Sequence, residues 1–190
     1  MNLENNFKKI FFRNIKFCSN YDKFKILKIR NENDVRKYMF NSNIISDQDH
    51  NIWLSILQKS LIKNFYCIEY EKKIIGGLGF NLLDKINQNF DWSFYKSQDI
   101  KTISIGGLIE LKALDYIFSK YNANNLFCYV FKNNTKVLKL HKRFGFVETN
   151  FKKDFNIPKN ISIKEVIFLC LNKDKWNTDK GMLYKKLFKL

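Results

Sequence analysis

Two segments of the sequence carry residue types whose spacing could do chemistry. The first, residues 101–107, reads Lys-Thr-Ile-Ser-Ile-Gly-Gly and precedes a stretch of apolar residues with helical spacing. A glycine-containing loop that opens a helix can direct unpaired backbone N–H groups, and the positive end of the helix dipole, at one anion. The loop therefore predicts a pyrophosphate site, although an ordinary turn that uses glycine for close packing has the same signature.

The second segment, residues 134–146, has Asn134 at a predicted helix start, His141 within the helix and Gly145-Phe146 at its exit. Asn134 and His141 are seven residues apart, or about two helical turns, so both lie near one face of the helix. An imidazole can donate a proton at neutral pH. His141 is therefore a candidate acid, and the alternative is a half-exposed histidine that only packs beneath a ligand.

Together these segments resemble the coenzyme-binding region of the Gcn5-related N-acetyltransferase (GNAT) superfamily, over roughly residues 15–171. The family loop, Arg/Gln-x-x-Gly-x-Gly/Ala, is matched by Lys101, Ser104 and Gly106, with lysine for Arg/Gln and serine for the first glycine. Serine adopts a positive φ less readily than glycine, so we expect a looser cradle. The family's Asn-x-x-Ala-x-x-x-Tyr-x-x-x-Gly-Phe is matched by Asn134, Val137, His141, Gly145 and Phe146, with histidine in place of tyrosine.

The resemblance implies acetyl-CoA as co-substrate, direct acetyl transfer to an amine and no metal. It also implies that the pantetheine arm lies between two splayed parallel strands, one ending near Tyr95 and the other at residues 126–131. His141 stands at the position of the family's thiolate acid, Tyr95 is the alternative donor, and backbone N–H groups near Lys96 are candidates for holding the carbonyl oxygen. The expected coenzyme contacts are Tyr95, Lys96, Ser97, Lys101, Ser104, Ile105, Gly106, Gly107, Asn134, Val137 and His141.

Residues 29–39 and 45–53 resemble one branch of the superfamily, with Arg-Asn before a helix ending in Met and Ile-Ser-x-x-x-His opening the next. That branch acetylates the 4-amino group of a UDP-linked 4-amino-4,6-dideoxy sugar in bacterial pseudaminic acid biosynthesis. The expected acceptor contacts are Arg30, Asn31, Tyr38, Met39, His50 and Trp53. A ribosomal-protein-type or other small-molecule acetyltransferase shares parts of the pattern, and a non-catalytic module that binds RNA or protein is a third interpretation.

Each acceptor candidate also has a second interpretation. The Arg30 guanidinium suits a diphosphate or a carboxylate, but could instead form an ion pair with Glu32 or Asp34. His50 could contact the substrate or take the amine proton through water. Tyr38, Met39 and Trp53 could form an apolar wall for the acceptor, or could simply pack between helices.

Helices and strands must position these residues on a mixed α/β sheet, the fold class that the sequence predicts. Ser46 is an N-cap candidate for a helix that turns Ile52, Trp53, Ile56 and Leu57 inward. We expect a single domain over residues 1–172 and a helical tail over residues 173–190. The predicted strands are 14–21, 65–69, 74–83, 90–96, 126–131, 147–150 and 164–171, and the other predicted helices are 23–39 (capped by Asp22), 108–121 and 135–143.

Composition limits the remaining classes. The chain has 190 residues, 45% of them hydrophobic, which excludes global disorder. Its net charge is +16, but lysine, asparagine, isoleucine and phenylalanine are the residues of A/T-rich codons, and no run of five basic residues occurs. We therefore expect no nucleic-acid partner and no membrane insertion. Without a signal-peptide pattern, we expect a cytoplasmic protein with four reduced cysteines. The sequence leaves open whether it forms a homodimer.

Overall fold

The computed structural model describes residues 3–150, 162 and 165–188. In this part of the chain, seven strands form one sheet in the order β1-β2-β3-β4-β5-β7-β6. The strands are β1 (Ile10–Asn14), β2 (Lys63–Tyr70), β3 (Lys73–Asp84), β4 (Asn89–Lys96), β5 (Asn125–Phe131), β6 (Val147–Glu148) and β7 (Val166–Asn172). The helices are α1 (Leu3–Lys8), α2 (Asn20–Arg30), α3 (Asn33–Arg36), α4 (Asp47–Lys59), α5 (Ile105–Lys120), α6 (Thr135–Arg143) and α7 (Lys173–Phe188).

Among the described strands, β4 and β5 form the one parallel pair of the sheet. Strands β1 to β4 pair antiparallel, β4 and β5 pair parallel, and β5, β7 and β6 pair antiparallel. The parallel register covers only Asn89–Asp91 opposite Asn125–Phe127, although β4 continues to Lys96 and β5 to Phe131. The two strands therefore separate beyond this register, and we call the gap between residues 92–96 and 128–131 the splay cleft.

Helix α5 supplies the centre of the core. Its buried positions include Leu108, Leu111, Leu114 and Ile117, each with no exposed surface. Full burial of such a side chain contributes about 1.5–3 kcal/mol. Because these residues anchor α5 on the sheet, the first turn of α5 is held at a fixed place beside the splay cleft.

The N-terminal part differs from the sequence prediction because local capping signals are stronger than the weak strand pattern. The expected strand over residues 14–21 is wrong: β1 ends at Asn14, whose side chain accepts a hydrogen bond from Lys16 N and caps a 3₁₀ turn over Ile15–Phe17. Ser19, and not Asp22, caps α2, and Asp22 completes a capping box with it. Helix α1 was not predicted.

The predicted helix over residues 23–39 is two helices. Helix α2 ends at Arg30, and α3 begins at Asn33. Asn31 stands in the gap, where its side-chain amide donates to Ile45 O (2.8 Å) and its side-chain oxygen accepts from Ile45 N (2.9 Å). This pair of bonds fixes the chain break, and it joins α2 to the segment that leads into α4.

Helix α4 confirms the predicted cap and corrects the predicted face. Ser46 accepts from Asp49 N at 3.1 Å, as an N-cap should. Ile52 and Ile56, which we expected to face inward, are 53% and 52% exposed, and the helix buries His50 and Leu57. Leu57 was expected to face inward and does, so the prediction is wrong for the two isoleucines only.

The remaining predicted elements lie within three residues of the observed ones, and α6 has the predicted bounds. The first residues of the expected strand 164–171 and the last of the expected tail lie outside the described residues. Helix α7 packs on the same chain through Trp176, which is 1% exposed and stacks on Phe118. None of the described helices is long and apolar enough to cross a bilayer.

Candidate active site

The backbone of β4 faces the splay cleft with free hydrogen-bonding groups. Ser97 N donates to Ile75 O at 2.7 Å, so this position belongs to the ladder with β3. Because alternate residues of an antiparallel ladder bond to one neighbour, Phe94 and Lys96 direct their N–H and C=O groups away from β3, toward the cleft. These groups can receive an extended chain as if it were an added strand, and the Lys96 N–H can hold a carbonyl oxygen.

The end of β4 is tied to the following loop. The Lys96 ammonium group donates to Ser97 O (3.2 Å) and Ile100 O (3.3 Å), and burial lowers the pKa of Lys96, with Glu32 opposing the shift. Ser97 is buried, and its hydroxyl accepts from Asp99 N. Both side chains therefore hold the loop, and at Lys96 it is the backbone rather than the side chain that faces the cleft.

The loop reaches α5 through a left-handed residue. Ser104 has φ +62°, the conformation that the family pattern assigns to glycine, and its side chain does not cap the helix. Gly106 and Gly107 follow in the first turn, where N–H groups have no intrahelical acceptor. A Cβ on Gly106 or Gly107 would lie 3.9 or 3.8 Å from Leu140, an ordinary contact, so internal packing does not require glycine here.

Helix α6 lies beside this turn, since Leu140 is the nearest side chain to a Cβ at Gly106 or Gly107. Asn134 is its N-cap residue, but the side chain makes no capping hydrogen bond. Val137 is half-buried and packs against the main core. The Asn134 amide is therefore not used to hold its own helix, which leaves it for a ligand in the cleft.

His141 lies deeper than the sequence suggested. The residue is 5% exposed rather than half-exposed, and its Nδ1 lies 2.7 Å from Oε1 of Glu110 in α5, a residue with no exposed surface. The ring is surrounded by Trp92, Phe94 and Phe146 at centroid distances of 5.4, 6.4 and 5.2 Å. Burial raises the pKa of Glu110, and His141 opposes that shift.

Tyr95 lies on the opposite face of β4 from His141. Phe94 contacts His141, and successive side chains of a strand point to opposite faces. The Tyr95 ring packs beside Phe65 (6.3 Å), and burial raises the pKa of its hydroxyl, with Arg30 opposing the shift. The expectation that Tyr95 reaches the same region as His141 is therefore not met.

A cavity of about 440 Å³ opens on the Tyr95 face, with α2, α4 and residues 39–45 above it and strands β2 to β4 below. Its lining includes four of the expected acceptor residues, which are Arg30, Met39, His50 and Trp53. The structure does not bring Asn31 or Tyr38 into this cavity. Asn31 is bonded to Ile45, and Tyr38 packs beneath the Lys37 ammonium group at 5.2 Å.

Arg30 lines the cavity, and one of its guanidinium nitrogens has no hydrogen-bond partner among the described residues. Nη2 donates to Asn41 O at 2.7 Å, whereas Nη1 is buried with no partner among the described residues. Burial lowers the pKa of Arg30, and the nearby Tyr95 and Tyr129 oppose that shift. Because the ordinary pKa of arginine lies so far above neutral pH, Arg30 stays charged. Its unpaired nitrogen therefore requires an acceptor that the described protein does not supply.

The alternative ion pairs for Arg30 are not formed. Glu32 accepts from Gln98 N at 3.0 Å, and Asp34 pairs with Lys37. The guanidinium group therefore keeps its charge for something that enters the cavity.

His50 is buried and neutral. Its Nε2 lies 3.0 Å from Lys23 O, so this nitrogen carries the proton in the neutral ring, and burial lowers the pKa of the imidazole. Its ring lies 5.2 Å from Trp53, which meets Phe65 edge-on at 4.9 Å. The three rings form one wall of the cavity.

Two glycines of β3 allow Tyr95 and Phe65, which line the cavity, to pack closely on the strand, and we did not single them out from the sequence. A Cβ on Gly76 would overlap the Tyr95 backbone, and one on Gly77 would overlap the Phe65 ring and lie 2.9 Å from Tyr95 Cζ. The signal was present: Gly-Gly-Leu-Gly inside a predicted strand marks a close approach. Glu110 was also missed, although a lone acid among apolar helix residues is itself a signal.

Metal chemistry has no obvious site in the described part of the chain. No group of three or more histidine, cysteine, aspartate or glutamate side chains lies close enough there to hold an ion.

Known proteins with related sequences match this arrangement. The family model described as "Acetyltransferase (GNAT) domain" matches residues 15–167. A curated relative, the acetyltransferase PseH of Campylobacter jejuni strain 81-176, is 27% identical over 130 residues, which are 68% of this chain and 80% of the relative.

Solved structures share the fold. Spermidine N-acetyltransferase from Vibrio cholerae, in complex with CoA and spermine, superposes with a TM-score of 0.75 at 17% identity, covering 90% of this chain and 99% of that one. Campylobacter jejuni PseH in complex with acetyl coenzyme A gives a TM-score of 0.63 at 20% identity, covering 86% and 98%. Because the family model covers well over half of the chain, the protein belongs to the GNAT family and is an acetyl-CoA-dependent N-acetyltransferase.

Proposed function

We propose that this enzyme acetylates the amine of a nucleotide-linked amino sugar, namely the 4-amino group of a UDP-linked 4-amino-4,6-dideoxy sugar of the pseudaminic acid pathway. The observation that carries the proposal is the buried, unpaired Nη1 of Arg30 in a 440 Å³ cavity beside the splay cleft. A diphosphate supplies the acceptor oxygens that this guanidinium group lacks. Relatives named PseH support the same substrate class.

For the coenzyme, the proposal places the pantetheine arm in the splay cleft. Its amides bond to the free backbone groups of β4, and Asn134 holds the arm beside Val137. The pyrophosphate lies against the first turn of α5, at Ile105, Gly106 and Gly107, with Lys101 and Ser104 on the preceding loop. Tyr95, Lys96 and Ser97 border the thioester end.

The acceptor's nitrogen forms a C–N bond with the thioester carbonyl carbon, and the C–S bond breaks. The backbone N–H of Lys96 stabilises the carbonyl oxygen as it becomes negative. The nitrogen loses one proton per turnover, and the departing sulfur gains one. His141 gives the sulfur its proton, and Tyr95, on the acceptor face, is the alternative donor.

The charge of the cavity separates a nucleotide sugar from a polyamine. Spermidine is the acceptor named for the Vibrio cholerae structure, and it is a polycation. The cavity lining has cations at Arg30 and Lys63, and its one carboxylate, Asp49, already accepts from the Ser46 hydroxyl at 2.7 Å. Such a lining repels a polycation and attracts a diphosphate.

The test is thiol release from acetyl-CoA with four reactions: a panel of UDP-linked amino sugars, spermidine, a ribosomal-protein peptide and no acceptor. We expect turnover with a UDP-4-amino sugar. Arg30→Ala should raise the acceptor KM more than about tenfold, since a charged hydrogen bond contributes about 1.5–3 kcal/mol, with acetyl-CoA affinity unchanged. Arg36→Ala is the matched control, because Arg36 also donates to a backbone carbonyl of the same segment, Ser42 O, outside the cavity.

Turnover with spermidine or the peptide but with no sugar would overturn the proposed acceptor. Acetyl-CoA binding without turnover on any acceptor would favour a non-catalytic binding module. An equal KM increase in Arg30→Ala and Arg36→Ala would show that Arg30 only holds the segment over the cavity.

A further inference from the structure

The core contains a carboxylate that packing does not explain. Glu110 lies between Ile109 and Leu111 in α5, and none of the three has exposed surface. One carboxylate oxygen meets His141 Nδ1 at 2.7 Å, and the other, Oε2, is buried with no partner among the described residues. Burying a carboxylate that is only half satisfied costs stability, and an apolar residue would avoid that cost.

The surroundings leave only this pair to share a charge. His141 meets the aromatic rings of Trp92, Phe94 and Phe146. Burial, and after it the nearby Glu110, raises the pKa of the Cys128 thiol in β5 well above its usual range, so this thiol stays neutral. Lys142 and Arg143, the next residues of α6, are exposed.

We propose that Glu110 is a positioning residue for His141, which rests on the proposed function that His141 protonates the departing thiolate. The Glu110 carboxylate accepts from the Nδ1–H of the ring, which fixes both the ring's orientation and its tautomer. Nε2 is then the nitrogen that exchanges a proton with sulfur. A carboxylate in this place does for a histidine what the buried acid of a catalytic triad does.

Histidine in place of the family's tyrosine at position 141 explains why Glu110 is needed beside it. Where the family pattern has tyrosine, a hydroxyl donates without choosing between two nitrogens. A histidine has two ring nitrogens, and only a fixed partner on one determines which of them faces the reaction. Histidine at position 141 therefore requires a group such as Glu110, 31 residues earlier on the neighbouring helix.

The proton balance of the step is simple. The imidazolium releases the proton on Nε2 to the thiolate, and the ring becomes neutral while keeping the proton on Nδ1. Glu110 remains a carboxylate and takes up no proton. The ring regains its proton from the one that the attacking nitrogen loses in each turnover.

The experiment uses the full chain and four variants. Glu110→Gln keeps the size and an acceptor oxygen but removes the charge, and His141→Asn removes the acid. The double variant Glu110→Gln/His141→Asn keeps two neutral amides that can bond to each other. Glu148→Gln is the control, because Glu148 is an exposed glutamate that pairs with Lys142, beside His141 in sequence.

We expect Glu110→Gln to lower kcat at least about tenfold, with acetyl-CoA affinity by calorimetry within about twofold of the parent. His141→Asn should lower kcat about 10²-fold or more. If Glu110 acts through His141, the double variant is no slower than His141→Asn alone. Multiplied losses, or parental kcat in Glu110→Gln, would overturn the proposal.

A second readout does not depend on turnover. The chain has two histidines, so the ¹⁵N spectrum of labelled histidine rings has two sets of signals, assigned with His141→Asn. Glu110→Leu, a further variant, leaves no acceptor beside Nδ1. We expect the neutral His141 ring to hold its proton on Nδ1 in the parent and to lose that fixed tautomer in Glu110→Leu, with His50 unchanged. A tautomer that Glu110→Leu leaves as it was would contradict the positioning role. A changed tautomer with parental kcat in His141→Asn would instead refute His141 as the acid.

Discussion

At the scale of single residues, burial decides which side chains can carry charge near the cavity. Arg30 remains charged despite its burial, because its ordinary pKa lies so far above neutral pH. His50 is kept neutral and Tyr95 keeps its proton, both because burial disfavours their charged forms. The buried part of the cavity lining therefore combines one charged group, Arg30, with the neutral side chains of His50 and Tyr95, as the proposed binding of a diphosphate requires.

Asp91 lowers the stability of the folded protein at neutral pH. Burial raises the pKa of this carboxyl to about 6, and the hydrogen bond from Asn81 opposes the shift. The folded state holds the proton to higher pH than the unfolded chain does, so stability falls as pH rises from about 4 to about 6. We expect Asp91→Asn to be more stable than the parent at pH 7, by up to about 3 kcal/mol, and similar at pH 4.

Urea unfolding at the two pH values measures this difference. Asp34→Asn is the control, since Asp34 forms only an exposed pair with Lys37, and exposed pairs contribute little to stability. The outcome to compare is the unfolding free energy of Asp91→Asn minus that of the parent, at each pH. If this difference were smaller at pH 7 than at pH 4, ionised Asp91 would stabilise the fold.

Ser104 holds a conformation that costs about 1 kcal/mol for a residue with a Cβ. Ser104→Gly removes that cost, so we expect acetyl-CoA to bind up to about fivefold more tightly by calorimetry, if the left-handed turn is the form that binds. Ile103→Gly, at the exposed neighbour without a positive φ, adds only flexibility and should not tighten binding. Weaker binding in Ser104→Gly would mean that the hydroxyl itself contacts the coenzyme.

At the scale of elements, the first turn of α5 is the part that the coenzyme proposal depends on. Gly106→Val should abolish acetyl-CoA binding while the fold survives, because the nearest side chain to the new Cβ is Leu140 at 3.9 Å and its methyl groups would cover the N–H groups. Gly181→Val in α7 is the matched control, since it carries the same helix penalty and its Cβ meets nothing within 4 Å.

Calorimetry measures acetyl-CoA affinity, and circular dichroism checks the fold. Unchanged affinity in Gly106→Val would remove the proposed pyrophosphate site from this turn. A loss of affinity shared with Gly181→Val would show that stability rather than contact is responsible.

The sequence predicted elements better than it predicted which face of an element is buried. Spacing alone placed α6 and the Ser46 cap, because both depend on residues a few positions apart. It could not place His141 against Glu110, since that contact joins two helices. Of the α4 residues assigned inward by their hydrophobicity, Leu57 is buried as expected, but Ile52 and Ile56 are exposed and His50 is buried instead.

In the candidate site, too, the sequence identified the right group of residues but not which of them face the ligand. Arg30, Met39, His50 and Trp53 meet in one cavity, as the acceptor assignment requires. Asn31 shares their sequence motif but serves the chain itself, by holding Ile45. A motif identifies residues that belong together, whereas hydrogen-bonding partners far along the chain decide which of them face the ligand.

At the scale of the whole molecule, α7 closes the core on which the coenzyme turn is built. Trp176 is 1% exposed and stacks on Phe118 of α5 at 6.2 Å, and the Tyr184 hydroxyl donates to Asp115 of the same helix. Phe7 of α1 meets Tyr184 edge-on at 5.9 Å. Helices α1 and α7 therefore meet beside α5, the helix whose first turn borders the splay cleft.

This packing predicts that α7 and the sheet unfold as one unit. Trp176→Ala should lower the free energy of unfolding by about 3–5 kcal/mol, the usual cost of removing a buried tryptophan, because the cavity it leaves lies against α5. Met182→Ala, at a 66% exposed position of the same helix, should change stability by no more than about 0.5 kcal/mol. Urea unfolding followed by tryptophan fluorescence and by circular dichroism should give coincident transitions in each protein. If Trp176→Ala detached α7 while the sheet kept its parental midpoint, the tail would be an independent appendage, and α5 would hold the coenzyme turn without it.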